Sequence, residues 1–294
     1  MTANLLLTGG PTHPFAATTP LLVDLLAEQG VTTTVVTDPF EALALLGAAE
    51  AGQRPGFDLV TVHALRWSMG QERYADLRAE HAVVVGDDDL AVLDRFVRAG
   101  GGLLALHTAV ICFDGAPTWR ALCGATWDWD RSSHPPLGPV AVAPTSAGRA
   151  HEVTRGVESF TVEDEAYGSL DEVDGLEPLL VAESAESAEP TDDGGRAHPL
   201  VWARPVGAGR VVTDLLGHGL PAFEHPVHRQ VLARAATWAG RTHRAPAPAD
   251  DLGSTRPAAD DLDAAVAAGA PDGIATITGA GAVPAPPEPR RSRP

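Results

Sequence analysis

Apolar and polar positions alternate along the first hundred residues in a pattern that predicts strands separated by helices. Short apolar or β-branched runs at residues 4–8, 32–37 and 57–62 have the length and composition of strands. Between them, residues 20–29 and 40–51 carry leucine and alanine at helical spacing. Because strands that alternate with helices are joined by crossover connections, we expect these strands to run parallel.

The next helix and strand are predicted by stronger sequence signals than the elements before them. Residues 87–99 begin with three aspartates, carry an apolar stripe and end at consecutive glycines, which is typical helix punctuation. Residues 103–106 then form an apolar strand that ends at His107. The later predicted elements are strands at 179–182, 200–203 and 210–215, a hairpin turn at 205–210 and an amphipathic helix over 226–239.

The composition changes near residue 241. From residue 242 to residue 294 the chain is rich in Ala, Pro, Gly and Asp and almost free of aromatic residues. Such a segment buries too little apolar surface to offset its ordering entropy, so we predict a disordered tail, with a short helix over 258–268 as an alternative. Residues 1–241 form the predicted folded domain.

Charge and cysteine content narrow the functional classes. The 294 residues are 44% hydrophobic, which supplies a full core, and 21 basic against 39 acidic residues give a net charge of −18. A nucleic-acid partner is not expected, because phosphate binding needs a basic surface. No apolar run is long enough to cross a membrane, and two cysteines with no secretory leader favour a reduced, cytoplasmic protein.

Ligands of doubly wound sheets bind beyond the carboxyl ends of the strands, so polar residues there are candidates for function. The candidates at predicted strand ends are the loop at 9–13, His63, His107, Arg204 and His218. A single histidine at such a position is more often structural or exposed to solvent than catalytic. Several candidates at one edge shift the interpretation toward a site.

His107 is the most informative of these candidates. It lies between a buried strand and a sharp turn, the position that a nucleophile elbow occupies. An imidazole there can act as a general base, a metal ligand or a hydrogen-bond partner of a substrate. The alternative is a histidine that only satisfies a buried backbone group.

Two further segments carry candidate chemistry. Residues 127–134 read WDWDRSSH, and indole rings beside carboxylates and imidazole suit a sugar, although buried tryptophans in a strand are the alternative. Residues 163–165 are three adjacent acids, whose repulsion favours a raised pKa at one of them, unless the segment is a solvated loop. His107, His134, His218 and one of these acids are a candidate site for a divalent metal.

Eight segments, in this order, resemble the ThuA-like (trehalose utilisation) family over residues 3–240. They are LLTGG at 6–10 with His13, LRW at 65–67, GGGLLALHTA at 100–109, HPP at 134–136, DEAY at 164–167, PLVWAR at 199–204, GAGRV at 207–211 and LGH at 216–218. The resemblance implies an α/β fold of the flavodoxin-like, class I glutamine amidotransferase-like type, with a mostly parallel sheet flanked by helices. Amidotransferases of this superfamily carry a cysteine at the elbow, where this chain has His107, so glutaminase activity is not expected.

The resemblance also implies which side chains line the pocket. We expect catalytic roles for His107, Glu165 and Arg204, with His107 or Glu165 as a base and Arg204 stabilising negative charge. His134 and His218 are the expected ligands of a divalent metal. The residues expected to bind substrate are Gly10, His13, Trp67, Trp127, Trp129 and Tyr167.

Members of the family are associated with the metabolism of trehalose and related disaccharides, including their 3-keto derivatives. The first hypothesis is therefore an enzyme that acts on a keto-sugar by elimination, isomerisation or hydrolysis, with a small carbohydrate as partner and a homo-oligomer as the assembly. A non-catalytic sugar-binding or assembly module is the alternative. A glycosidase, with two carboxylates about 5 to 9 Å apart across a cleft, is a third hypothesis.

Overall fold

The computed structural model describes residues 1–182 and 198–240. The predicted tail at 242–294 and the predicted short helix at 258–268 lie outside the described residues, so both stay predictions. The boundary of the folded domain at residue 241 stays a prediction with them.

The described residues contain eleven strands and eight α-helices, with two 3₁₀ turns at Glu72–Tyr74 and His107–Ile111. The strands are β1 Thr2–Gly9, β2 Val31–Val36, β3 Leu59–Ala64, β4 Gly102–Leu106, β5 Ala125–Thr126, β6 Gly138–Pro144, β7 Phe160–Asp164, β8 Asp171–Glu172, β9 Pro178–Ala182, β10 His198–Val206 and β11 Gly209–Asp214. The helices are α1 Phe15–Glu28, α2 Pro39–Glu50, α3 Ala75–His81, α4 Asp87–Arg98, α5 Pro117–Cys123, α6 Ser146–Ala150, α7 Leu220–Glu224 and α8 Pro226–Ala239.

Within the described part of the chain, nine strands form one sheet in the order β2-β1-β3-β4-β11-β10-β9-β6-β7. The first five of these strands run parallel to one another. The remaining four pair antiparallel, beginning with the β10–β11 hairpin that the sequence predicts. Helices flank the sheet, and the α/β, flavodoxin-like fold class is confirmed.

Four of the parallel strands, β1, β3, β4 and β11, are largely buried on both faces, which explains why they are mostly apolar, whereas the edge strand β2 is partly exposed. On β1, Leu6 faces a cluster that contains residues of α1 and α8, whereas Leu5 and Leu7 face a cluster that contains residues of α2 and α4. This alternation follows from the two-residue period of a strand. It fixes the register of β1 and therefore the position of the loop that follows it.

Helix α1 begins earlier than the sequence pattern predicts. The predicted helix starts at Pro20, but Pro20 lies inside the helix, which begins at Phe15. A proline in the second turn removes only one backbone hydrogen bond, and the buried side chains of Phe15 and Thr18 stabilise the turn that precedes it. The helix consequently starts two residues after His13.

No helix among the described residues is long and apolar enough to span a membrane.

Candidate functional site

The carboxyl ends of β1, β4 and β11 lie at one edge of the sheet, because these strands are parallel and close in the strand order. The segments that leave them carry His13, His107 and His218 respectively. This is the edge at which ligands bind in open α/β sheets. The strand-end prediction therefore locates three of the site's side chains.

Glycine sets the path of the loop between β1 and α1. Gly10 has a φ of 135°, and a Cβ atom there would overlap the carbonyl oxygen of Leu65. Only glycine adopts this conformation and this close approach without strain. The chain then turns through Thr12, also at positive φ, and presents the His13 imidazole to the edge of the sheet.

His107 has the strained backbone of an elbow. Its φ is 50°, an uncommon value for a non-glycine residue, and it lies at the junction between β4 and a 3₁₀ turn. Its Nδ1 lies 2.7 Å from the carbonyl oxygen of Leu215. Because a carbonyl only accepts hydrogen bonds, Nδ1 carries the proton and Nε2 presents a lone pair to the site.

Two carboxylates, those of Asp214 and Asp164, hold the segment that follows β11. Asp214 accepts a hydrogen bond from the Leu216 amide and lies 3.0 Å from Nε2 of the buried His228 on α8. Asp164, at the end of β7, accepts hydrogen bonds from the amides of Gly217 and His218. These carboxylates fix the backbone that carries His218.

Glu165 reaches the same edge from the antiparallel part of the sheet. It follows Asp164, whose Oδ1 also accepts a hydrogen bond from the Glu165 amide, and the Glu165 side chain is 9% exposed. Its Oε2 lies 3.2 Å from His218 Nδ1 and 3.7 Å from His107 Nε2. The Glu165 carboxylate therefore lies close to two of the clustered histidines.

We call the group formed by His13, His107, Glu165 and His218 the donor cluster. One ligand atom from each of these four residues lies within 4.8 Å of the corresponding atoms of the others. The shortest imidazole pair joins Nε2 of His13 to Nε2 of His107 at 3.2 Å. The sequence predicts a metal site that contains His107, His218 and one of the acids at 163–165, and it assigns His13 to substrate binding. The structure brings His13, His107, Glu165 and His218 together at one place.

Burial keeps two of these imidazoles neutral. Desolvation lowers the pKa of His13 to about 4, with a further contribution from the nearby His218 and His134. The pKa of His107 lies well below its ordinary range, first because it is buried and then because His13 is adjacent. Neutral imidazole is the form that binds metal ions.

The donor cluster has the composition of a transition-metal site. Imidazole nitrogen with a carboxylate oxygen is a common donor set for zinc and related divalent ions. A tetrahedral ion about 2.1 Å from each ligand separates the ligand atoms by about 3.4 Å. The His13–His107 and His218–Glu165 pairs, each at 3.2 Å, fit that spacing.

His134 lies at the rim of the donor cluster. Its Nδ1 is 3.4 Å from Oε1 of Glu165 and 2.9 Å from the carbonyl oxygen of Pro135, and 39% of its side chain is exposed. The sequence predicts His134 and His218 as metal ligands. The structure places only His218 in the four-residue cluster, with His13, His107 and Glu165, and leaves His134 on the solvent side of Glu165.

Aromatic side chains line the site beside the donor cluster. Trp127 packs edge-on against Tyr167 at 5.3 Å and lies 6.0 Å from the His134 ring, measured between ring centroids. Trp129 stacks on Trp67 at 6.1 Å, and Trp67 is fully buried. We call Trp67, Trp127 and Trp129 the tryptophan wall, in which the buried Trp67 supports Trp129 and does not itself offer a surface to a ligand. The indole N–H groups of all three have no hydrogen-bond partner in the described part of the chain.

Arg204 does not join the site. The sequence interpretation places it at a strand end, but it lies within β10, paired with Val211. Because β10 runs antiparallel to β11, the carboxyl end of β10 is at the edge of the sheet opposite to His218. The guanidinium donates a hydrogen bond to the carbonyl of Ala121 instead.

His63 is also outside the donor cluster. It lies within β3 rather than after it, and its Nε2 is 2.9 Å from the Thr18 hydroxyl. The rings of Phe15 and Phe223 pack against it, and burial, with His13 nearby, lowers its pKa to about 3. It supports α1 behind His13.

A cleft of about 370 Å³ lies elsewhere on the molecule, between α2 and α4. Its lining includes Asp58 and Gly101, which precede β3 and β4, so it is at the amino ends of the parallel strands. The ion pair between Arg95 and Glu50 crosses its wall. This cleft offers mainly apolar surface, whereas three histidines and a glutamate converge in the donor cluster.

Comparison with known proteins agrees with this architecture. The family model for ThuA, described as trehalose utilisation, matches residues 6–239. The chain belongs to the ThuA family. Membership supports a role in carbohydrate metabolism. None of the proteins with curated descriptions matches the chain in sequence.

Solved structures of the ThuA type share the fold. A protein described as ThuA-like from Parabacteroides merdae is 18% identical, with a TM-score of 0.62, over 82% of this chain and 90% of that chain. Another, from Bacteroides uniformis, is 16% identical, with a TM-score of 0.55, over 81% and 91%. A β-galactosidase from a Rahnella species is 13% identical, with a TM-score of 0.50, over 81% of this chain but 31% of that chain. At these identities the likeness concerns the fold alone.

Proposed function

We propose that this ThuA-family protein is a metal-dependent enzyme of carbohydrate metabolism that acts on a keto-sugar or a disaccharide derivative. The single observation that carries the proposal is the convergence of His13, His107, Glu165 and His218 on one point. Three imidazoles and one carboxylate favour a divalent ion of the zinc type. Such an ion polarises a carbonyl group and stabilises the charge that develops on its oxygen.

His134 is the acid–base residue in this proposal. Its Nδ1 faces a carbonyl and a carboxylate oxygen, so the proton is on Nδ1 and the Nε2 lone pair is available to a substrate. A ketone acidifies the neighbouring C–H bond, and a positioned imidazole removes that proton at neutral pH. Elimination, isomerisation or hydrolysis can follow from the resulting enolate.

The tryptophan wall supports a carbohydrate ligand. The apolar faces of a sugar stack on indole rings, and its hydroxyls accept hydrogen bonds from indole N–H groups. Trp127 lies 6.0 Å from the ring of His134 at the rim of the cluster, and its buried indole N–H has no hydrogen-bond partner among the described residues. This observation also favours the second candidate function, a sugar-binding module without turnover.

Metal analysis and turnover assays on the same protein separate these functions. We expect about one equivalent of divalent metal by mass spectrometry of the purified protein, and metal-dependent turnover of a 3-keto-disaccharide. His107→Gln and His218→Ala are expected to lose both. His134→Ala is expected to keep the metal while turnover falls by about 100-fold or more. Saccharide binding without metal or turnover would establish the binding module and refute the enzyme.

A cytoplasmic location and a homo-oligomeric assembly remain part of the proposal. The thiols of Cys112 and Cys123 are free and buried, which fits a reducing compartment. Burial raises the pKa of Cys112 to about 12, so this thiol is not a nucleophile.

A further inference from the structure

The phenol of Tyr167 lies at the inner edge of the donor cluster. The residue is 1% exposed, and its hydroxyl oxygen lies 3.0 Å from Nε2 of His107. The ring packs between Trp127 and His107, with centroid distances of 5.3 Å and 4.9 Å. The hydroxyl is therefore aimed at the cluster by packing on both sides.

The direction of this hydrogen bond follows from the tautomer of His107. Nδ1 of His107 donates to the carbonyl of Leu215, so Nε2 has a lone pair and no proton. The Tyr167 hydroxyl is consequently the donor, and His107 Nε2 is the acceptor. Without a metal ion, this bond satisfies a buried polar group.

A metal ion in the donor cluster would need the same lone pair. Nε2 is the atom through which His107 faces His13, at 3.2 Å, and the nitrogen has one lone pair in the ring plane. It cannot both coordinate a cation and accept the hydrogen bond of Tyr167. If an ion occupied the site, the buried Tyr167 hydroxyl would lose this acceptor and would require a new one.

We propose that Tyr167 is a further catalytic residue, which in the metal-loaded site donates a hydrogen bond to the keto oxygen of the bound sugar. The inference rests on the proposed function. The hydroxyl lies 3.0 Å from His107 Nε2, which is one of the four ligand atoms, so an oxygen drawn to the centre of the cluster would come close to it. With a metal ion held by these residues, the Tyr167 hydroxyl would donate to the substrate oxygen in place of His107.

The proposed reaction step is removal of a proton from the substrate, and it needs no reagent other than the substrate and these side chains. His134 accepts the proton from the carbon next to the ketone as that C–H bond breaks. The electron pair forms a carbon–carbon double bond, and the carbonyl π pair moves onto the oxygen. Tyr167 keeps its proton and donates a stronger hydrogen bond to that oxygen as its negative charge grows.

The sequence offers a direct test, because the chain contains only two tyrosines, Tyr74 and Tyr167. Protein labelled with ¹³C at the tyrosine Cζ position gives two signals, and the Tyr74→Phe variant leaves only that of Tyr167. We expect the Tyr167 signal to shift in proportion to added Zn²⁺ up to one equivalent. Tyr74, which packs against Trp67 and Trp129, should not respond.

Turnover supplies the second measurement. Tyr167→Phe should bind one equivalent of Zn²⁺ and lose about 100-fold or more in kcat for the keto-sugar, whereas Tyr74→Phe should retain both. Stoichiometric Zn²⁺ binding with an unmoved Tyr167 signal would overturn the role of Tyr167 and leave the proposed function intact. Failure to bind Zn²⁺ would overturn both. The titration of Tyr74→Phe decides the question even when Tyr167→Phe does not fold.

Discussion

The parallel and antiparallel parts of the sheet supply the site in different ways. In the parallel part, three strand ends place His13, His107 and His218 at one edge, because neighbouring strands point in the same direction. In the antiparallel part, adjacent strand ends alternate between the two edges, so Arg204 on β10 lies away from the site. A strand end predicts a site position only when the direction of its neighbours is known.

Glu165 shows how the antiparallel part still contributes. Its strand, β7, is four positions from β11 in the sheet order, but Asp164 at the end of β7 accepts the amides of Gly217 and His218. This carboxylate joins the two parts of the sheet at the site. In the parallel part, strand direction positions the histidines of the donor cluster. In the antiparallel part, the buried carboxylate of Asp164 holds Glu165 beside them.

The largest expected effect comes from the anchor within the parallel part. Asp214→Asn removes the partner of His228 and weakens acceptance of the Leu216 amide, so it should lower the free energy of unfolding by about 3 to 5 kcal/mol. Urea denaturation measures this loss. A loss below about 1 kcal/mol would show that the backbone after β11 does not depend on this pair.

The same pair predicts a pH dependence. Burial lowers the pKa of His228, but the charge of Asp214 and their hydrogen bond outweigh burial and raise it overall. The stabilisation from this raised pKa is complete below the unfolded-state value of about 6.5 and is lost as pH rises through the folded-state value. The difference in stability between the wild-type protein and Asp214→Asn should therefore be larger at pH 6 than at pH 9.

The second-largest expected effect is on Zn²⁺ binding, and it tests Asp164, the buried anchor of the antiparallel part. Burial raises the pKa of Asp164 to about 6, although three backbone amides oppose the shift. Asp164→Asn should weaken Zn²⁺ binding by about 10- to 100-fold in calorimetry, because it loosens the backbone on both sides of the Glu165–His218 pair. Asp171→Asn, at the exposed ion pair with Arg120, is the control and should bind Zn²⁺ as the wild type does.

A smaller effect is expected from the tryptophan wall. Trp127→Phe removes part of a stacking surface and an indole N–H, and KM for a keto-disaccharide should rise by about 2- to 10-fold at unchanged metal content. Trp238→Phe on α8, away from the site, is the matched control. An equal rise in KM in both variants would indicate that Trp127 packs in the core and does not contact the substrate.

The smallest effect is expected at Arg204. Arg204→Ala should change Zn²⁺ affinity and kcat/KM by less than about 2-fold, because the guanidinium donates to the carbonyl of Ala121 on α5 and does not join the donor cluster. A large loss of turnover in a variant of normal stability would contradict the contrast between the two parts of the sheet.

Much of the site was accessible from the sequence. The aspartates that begin α4 and the glycines that end it mark the helix before β4, and the apolar run of β4 identifies His107 as a residue at a turn. The positive φ of His107 confirms that turn. Strand β4 gives this signal because it is buried and carries no polar residue before it ends.

Other assignments lay beyond sequence patterns. Nothing in the spacing of His13 and His107, 94 residues apart, indicates that their Nε2 atoms lie 3.2 Å from each other. The three acids at 163–165 predict one raised pKa but not that burial of Asp164 causes it, and Asp214 resembles other acidic residues in a chain that has 39 of them. No local pattern distinguishes a buried anchor from a solvated carboxylate.

The sequence by itself determined the fold class and the turns at which the parallel strands end, because hydrophobic periodicity and glycine act over short distances along the chain. Only the tertiary structure decided which side chains meet. Strand order and strand direction are set by packing between distant segments, and they bring His13 and Glu165 to His107 while they turn Arg204 away. The chemistry of the site therefore depends on contacts that no local pattern encodes.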